Sequence, residues 1–318
     1  RLVYGRGDAA IRLLDAHGSL VEDVTVDTPT NGVVALNSSG AVVRNLSVTG
    51  NDVIMNGSMG VLAMYSRMVV ENSTFTGGKD GVYTHYSDGI VIRENRMHDQ
   101  RFGVHEMYTS DALLANNTVR RTLVGLIVMT RPTGNVIVGN DVRESRQGVS
   151  LVGSSSFAAE NVVVDNELGI SIGSSRSFYA RNTVVRNDVG LRSDTLLPTN
   201  DVAANDVVGN DRYVSTGAGT LNSWAVSGRG NYWGPIPGTD RDSDGVIERP
   251  FRPASPLDGE AVDSAGAATL ARSPAIGALR RFQSQVPGLR GSGIVDPAPL
   301  RRPVRPEILE ALGVEVAS

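Results

Sequence analysis

Cysteine is absent from this 318-residue chain, lysine occurs once, at Lys79, and aromatic residues make up only 5%. Without thiols there is no disulfide framework, no thiolate nucleophile and no cysteine-bound zinc. Such a composition suits an exported protein. With so few rings, the core must be built from Val, Ile and Leu. The longest apolar stretches, such as LVGLIVM at 123–129, fall far short of the ~20 residues that span a bilayer. The chain opens at Arg1 with no methionine and no signal-like apolar region, so a targeting segment is expected to have been removed. A formal charge of −4, with no basic cluster to offset it, excludes a general attraction for nucleic acid or anionic membrane.

What the chain does have is repetition. Aligning VVRNLSV, VVENSTF, VIRENRM, LLANNTV, VIVGNDV, AAENVVV, YARNTVV and VAANDVV places asparagine at 95, 117, 140, 161, 182 and 205. Glycines followed by an apolar residue form a second column at 60, 81, 103, 125, 148, 169 and 190. Both columns keep a spacing of 21 to 23 residues, and one short supersecondary unit per repeat is the mark of a solenoid. Leucine-rich repeats share this length but need Leu at several fixed positions and usually a helical segment. Here Val and Ile alternate with polar residues over four or five positions, as in strands. The pattern predicts an all-β, right-handed parallel β-helix of about nine coils over residues 8 to 235. Coils would stack ~4.8 Å apart, so equivalent residues form ladders. The asparagine column is expected to be an internal amide ladder at a corner, tolerant of left-handed geometry, with no chemical role.

After residue 235 the period stops. Residues 236–263 are rich in Pro, Gly and Asp and read as loop. In 264–318, Ser273 and Pro274 can start a short helix with Ile276, Leu279 and Phe282 on one apolar face, and a second helix is expected from Pro306 to Leu312. This tail carries Arg at 272, 280, 281, 290, 301, 302 and 305 and has no coil partner of its own. It must therefore lie against the β-helix or against another protein; docking on a partner through Ile276, Leu279 and Phe282 is expected, with removal of the tail leaving the shaft stable.

The ladders locate a candidate site. One residue beyond each column glycine stands Val61, Val82, Val104, Leu126, Val149, Ile170 or Leu191, apolar in every coil and so inward. Positions two and four beyond the glycine then point outward. The fourth position reads Met64, His85, Met107 and Met129 in successive coils, and the second places His105 beside them. All seven methionines and three of the four histidines lie between 55 and 129. Two readings stand: methionine as core filler, or an outward patch of thioether and imidazole, a donor set suited to Cu(I). Glu106 would point inward on the same count, which raises the prospect of a register break at this coil. Separately, Asp240, Asp242, Asp244 and Glu248 in DRDSDGVIE have the alternating spacing of acidic calcium loops; the alternative is a solvated acidic turn.

The segments RFGVHEMYTSD and VGLIVMT, GNYWG at 230–234 and the tail SPAIGALRRFQSQVPGLRGSGIVDPAPLRRP together resemble the NosD family, over about residues 60 to 303. That resemblance implies a periplasmic β-helix protein that is not a catalyst. It would receive copper from a chaperone lipoprotein and work with an ABC transporter permease and ATPase in maturing the copper sites of a client, nitrous oxide reductase. His105 and Met107 are favoured both by the resemblance and by the ladder count. The family has more coils before the position of residue 40, which implies a trimmed N-terminus here. The rival reading is a polysaccharide lyase, hydrolase or epimerase drawing on Asp80, His85, Asp88, Asp99, Arg101 and Asp111, although these do not form a tight outward ladder of acids. A third is a purely structural adhesin.

Overall fold

Residues 8–51, 57–130, 132–193, 199–216, 221–253 and 294–315 are described by the structure, a computed structural model. The coils form a parallel β-solenoid with three sheets of ten, nine and nine strands, each strand hydrogen-bonded to its counterpart in the next coil. The first strand is Ala9–Leu14, and bridges from Asp201 to Ser223 and from Asp206 to Tyr232 begin a last, partial coil. The expected β-helix is therefore present over the expected span. The inward column from Val61 to Leu191 is buried throughout. Each such side chain removed from water contributes roughly 1.5–3 kcal/mol, so the shaft is stabilised by many equal, modest terms rather than by one dense centre.

The glycine column exists because the chain turns sharply inward there. A Cβ at Gly103 would sit 2.6 Å from Val119 Cγ1 and 2.7 Å from the Gly125 carbonyl oxygen. Gly103 and the following Val104 both face the interior, so the residue before each glycine falls on the outer side of the sheet. That small irregularity matters at the site described below.

The asparagine ladder is present. Asn95 Nδ2 donates to Asn117 Oδ1 at 3.0 Å, and the chain of amides continues through Asn140, Asn161, Asn182 and Asn205 to Asn231. Each Oδ1 also accepts the backbone N–H of the preceding rung, as from Asn140 to Asn161 at 3.0 Å. The left-handed geometry is not borne by these asparagines but, from Asn95 to Asn205, by the exposed or half-buried residue before each one, including Glu94, Asn116, Glu160 and Arg181. The amide must point inward to reach its neighbours, so the turn is made one residue earlier. Two shorter ladders run beside it, Asn166–Asn187–Asn210 and Asn200–Asn222.

The C-terminal segment departs from expectation. Residues 294–314 pack on the shaft instead of standing free, so for this part the partner-docking tail is corrected to an element of the fold. Asp296 accepts the Asn231 N–H and the Trp233 indole N–H, both at 2.8 Å, and so terminates the amide ladder. Leu300 and Leu309 complete an apolar cluster with Val164, Val185, Val208 and Tyr232. Asp206 accepts the N–H groups of Val304 and Arg305 at 2.7 and 2.8 Å, just before the helix Pro306–Ala311. Trp224 and Trp233 are buried in the last coils and join the interior core. The proposed docking residues Ile276, Leu279 and Phe282 lie outside the described residues.

Replacing Asn161 by Ala strands the Asn140 amide and backbone donors in the core. Each buried group left unpaired costs ~1–3 kcal/mol, so urea unfolding of Asn161→Ala should show a loss of about 2–4 kcal/mol; a loss indistinguishable from zero would remove the ladder from the account. Burial pushes the Asp206 carboxyl from the ordinary 3.8 up to about 6. A folded-state proton affinity above that of the unfolded chain gives stability that is complete at low pH and disappears as pH rises through the folded value. The melting temperature should therefore fall between about pH 4 and pH 6.5, and Asp206→Asn should flatten that interval of the profile.

Candidate metal centre

The outer face of the first sheet carries the predicted residues in register. Met64, His85, Met107 and Met129 pair in sequence as one ladder, and Leu62, Tyr83, His105 and Ile127 form the adjacent one. Neighbouring rungs are ~4.8 Å apart, which brings successive side chains of a ladder into contact. Met64, His85, Met107 and Met129 are all half-buried, whereas His105 is only 6% exposed. The register runs through the strand Phe102–Met107 without interruption, so the expected break does not occur.

His105 is held from one side only. Its Nδ1 lies 3.1 Å from Asp80 Oδ2, and the Tyr83 and Phe102 rings meet it edge-on at 4.9 and 4.8 Å. Its Nε2 is buried and has no hydrogen-bond partner among the described residues. Asp80 is fully buried and is gripped by Arg101 through Nε at 2.9 Å and Nη2 at 2.7 Å. The Arg101 guanidinium in turn lies 4.2 Å over the Phe102 ring. An imidazole anchored at one nitrogen by a carboxylate, with the other nitrogen open, is how proteins present histidine to a metal ion.

Tyr83 links the two ladders. Its hydroxyl donates to Met107 Sδ at 3.3 Å and lies 3.4 Å from His85 Nδ1. Burial, and secondarily the neighbouring His105, lowers the proton affinity of His85 from the ordinary 6.5, favouring its neutral, metal-competent form. Met59 joins the same outer cluster with Leu62, Tyr83, Met64 and Met107. Its position before Gly60, on the outer side because of the inward turn at the glycine, hid it from a count made only forward of the glycines. Tyr83 stands one coil before His105 in the same outward column. Methionine is also used as filler: Met68 and Met97 belong to the interior core. Met64, Met107 and Met129 thus lie in the outward ladder with Met59 beside them, whereas Met68 and Met97 lie inside.

Beside the face, Tyr65, Tyr86 and Tyr108 stack at centroid distances of 5.6 and 4.9 Å on an exposed corner, each with φ near +50°. Asp15 and Asn37 hold the same left-handed corner in earlier coils, and those residue types adopt it with less strain than tyrosine. Behind the face, Glu106 points inward between Thr84 and Val128. Burial pushes its carboxyl up to about 8, and neither oxygen has a partner among the described residues.

The residues of the carbohydrate reading are dispersed. Asp80 and Arg101 belong to the His105 assembly, whereas Asp99 is paired with Arg121 and His98, chiefly Arg121 holding its carboxyl down to about 2. Asp88 accepts the Ser110 N–H, and Asp111 sits at a left-handed corner. In the acidic loop, Asp240, Asp242 and Asp244 each place an oxygen within 4.8 Å of the others. Glu248 is not part of that group; it accepts the Arg241 N–H instead. Three of the four expected calcium residues thus converge.

A family model described as "Periplasmic copper-binding protein (NosD)" matches residues 47–238. The chain belongs to the NosD family. The matched span runs over the face from Met59 to Met129 and stops short of Asp240. Curated NosD-family relatives include the "Probable ABC transporter binding protein NosD" of Pseudomonas aeruginosa, 35% identical over 103 residues, 32% of this chain and 24% of that one. The relative of the same name from Stutzerimonas stutzeri is 33% identical over the same shares. The aligned region thus spans about a quarter of these relatives.

Among solved structures, a tailspike protein of E. coli bacteriophage HK620 matches with a TM-score of 0.56 at 14% identity, over 69% of this chain and 48% of that one. The periplasmic alginate epimerase AlgG matches at 0.53 and 14%, over 67% and 65%. PfbA, a surface adhesin of Streptococcus pneumoniae, matches at 0.51 and 12%, over 77% and 69%. At such identities these likenesses show the β-helix fold of this chain and nothing further. Among the described residues, no helix is long and apolar enough to cross a membrane.

Proposed function

We propose that the outer face of the first sheet, from Met59 to Met129, accepts copper as Cu(I) in the periplasm and passes it on. The observation that carries this reading is His105, whose buried Nε2 has no partner among the described residues while Nδ1 is anchored to Asp80. Thioethers and imidazoles without thiolate, and without carboxylates among the outward ligands, favour a soft monovalent ion over calcium or magnesium. In this reading His105 and Met107 are the principal ligands, with His85 and Met64 on the neighbouring rungs and Met129 as a further thioether. Half-buried thioethers leave one side of the patch approachable, as a cargo site requires. The family description names copper and the periplasm, and the relatives' names point to an ABC transporter. The proposed partners are accordingly a copper chaperone lipoprotein as donor, the transporter permease, and a client copper enzyme such as nitrous oxide reductase.

The test is a competition titration of Cu(I) against a colorimetric chelator, with wild type, His105→Ala, Met107→Leu and the double variant, each checked for fold by circular dichroism. His105→Ala should weaken binding by at least about tenfold, the loss of one good ligand costing ~1.4 kcal/mol or more. Met107→Leu, a volume-conserving change, should weaken it less while leaving the melting curve nearly unchanged. Equal uptake by all four folded proteins would end the copper reading, and loss of fold in Met107→Leu would make Met107 a packing residue.

A further inference from the structure

We infer that Asp80 and Arg101 are positioning residues that decide which nitrogen of His105 a metal ion can use. The inference rests on the copper reading above and adds the device that prepares the ligand. Two groups of opposite character approach His105 Nδ1. Asp80 Oδ2 lies at 3.1 Å, and Arg101 Nη2 lies at 3.4 Å. A carboxylate oxygen accepts, whereas a guanidinium only donates. The two neighbours therefore demand opposite imidazole tautomers.

Geometry decides between them. Arg101 is already committed to Asp80, with Nη2 at 2.7 Å from Oδ2 and Nε at 2.9 Å from Oδ1, the paired fork that carboxylates favour. Its contact with Nδ1 is the longest of the set. Nδ1 therefore carries the proton and donates to Asp80, and the lone pair stands on Nε2. That is the nitrogen with no partner among the described residues. Asp80 is fully buried, and the Tyr83 and Phe102 rings bracket the imidazole, so the ring cannot exchange its two nitrogens without breaking these contacts. The role of Arg101 is to neutralise and orient the buried carboxylate. If Asp80 is removed, the same guanidinium becomes the polar neighbour of Nδ1 and forces the proton to Nε2, masking the ligand.

The first measurement is a long-range 1H–15N correlation spectrum of metal-free, 15N-histidine-labelled protein, with His105 assigned by its loss in His105→Ala. Wild type should show the Nδ1–H pattern, and an Nε2–H pattern would overturn the inference without any variant. Asp80→Ala should switch His105 to Nε2–H and weaken Cu(I) binding by at least tenfold, at the lower end of what loss of an orienting partner costs a metal site, roughly 10–100-fold. In Asp80→Ala with Arg101→Ala nothing donates to Nδ1, and binding should recover severalfold over the single variant. Met107→Leu should weaken binding with the tautomer unchanged. An Asp80→Ala protein that retains Nδ1–H, or a double variant that binds no better than the single one, would reduce Asp80 to a packing residue. If His105→Ala binds Cu(I) like wild type, the copper reading falls, while the wild-type tautomer still decides whether Asp80 orients the ring.

Discussion

Every coil of this protein is hydrogen-bonded, residue against equivalent residue, to the coil before and after it. That single constraint turns a sequence period into columns of like residues, and the remaining structure follows from which columns face in and which face out. An inward column must be apolar or must satisfy its own hydrogen bonds. The asparagines meet the second condition, since each amide donates and accepts within the stack and none is left facing apolar carbon. Because the pairing of such a stack does not end by itself, the last amide needs a terminator. Asp296 supplies it from the C-terminal segment, which is why residues far from the coils in sequence belong to the shaft.

The outward columns are free of this requirement and can vary from coil to coil. Between Met59 and Met129 they change from ordinary surface residues to thioether, imidazole and phenol. Burial there is produced by the neighbouring rungs, with Tyr83 and Phe102 shielding His105 and Tyr83 bridging Met107 and His85. An outward face of this kind costs the fold little, since the core-facing side of the same strands keeps Val82 and Val104. Glu106 is the exception. Its partnerless carboxyl, held up to about 8 by burial, is a neutral acid in the core at physiological pH and opposes stability as the medium becomes more alkaline.

The solenoid was legible because its two columns keep one period, and the outward placement of Met64, His85, His105 and Met107 followed by simple alternation from an apolar column. Three things were not legible. Alternation counts in twos, so it missed the consecutive inward positions at each glycine, and with them Met59 and the outward turn of Asp80. It also could not show that His105 would meet Asp80 and Arg101, because that contact joins successive coils at a corner whose shape depends on the glycine. Finally, the C-terminal segment has no repeat of its own. Its attachment depends on Asp206 and Asp296 meeting particular backbone and indole N–H groups, and no local pattern announces such long-range pairs.

The central claim is that imidazole and thioether from the outer sheet face share one copper ion. Copper K-edge X-ray absorption of the chain loaded with substoichiometric Cu(I) tests it most directly, since nitrogen and sulfur neighbours scatter differently. The account predicts a low-coordinate site with both imidazole and sulfur in the first shell, the imidazole signature disappearing in His105→Ala and the sulfur contribution declining in Met107→Leu. A first shell of nitrogen and oxygen alone, or a spectrum unchanged by both substitutions, would contradict it.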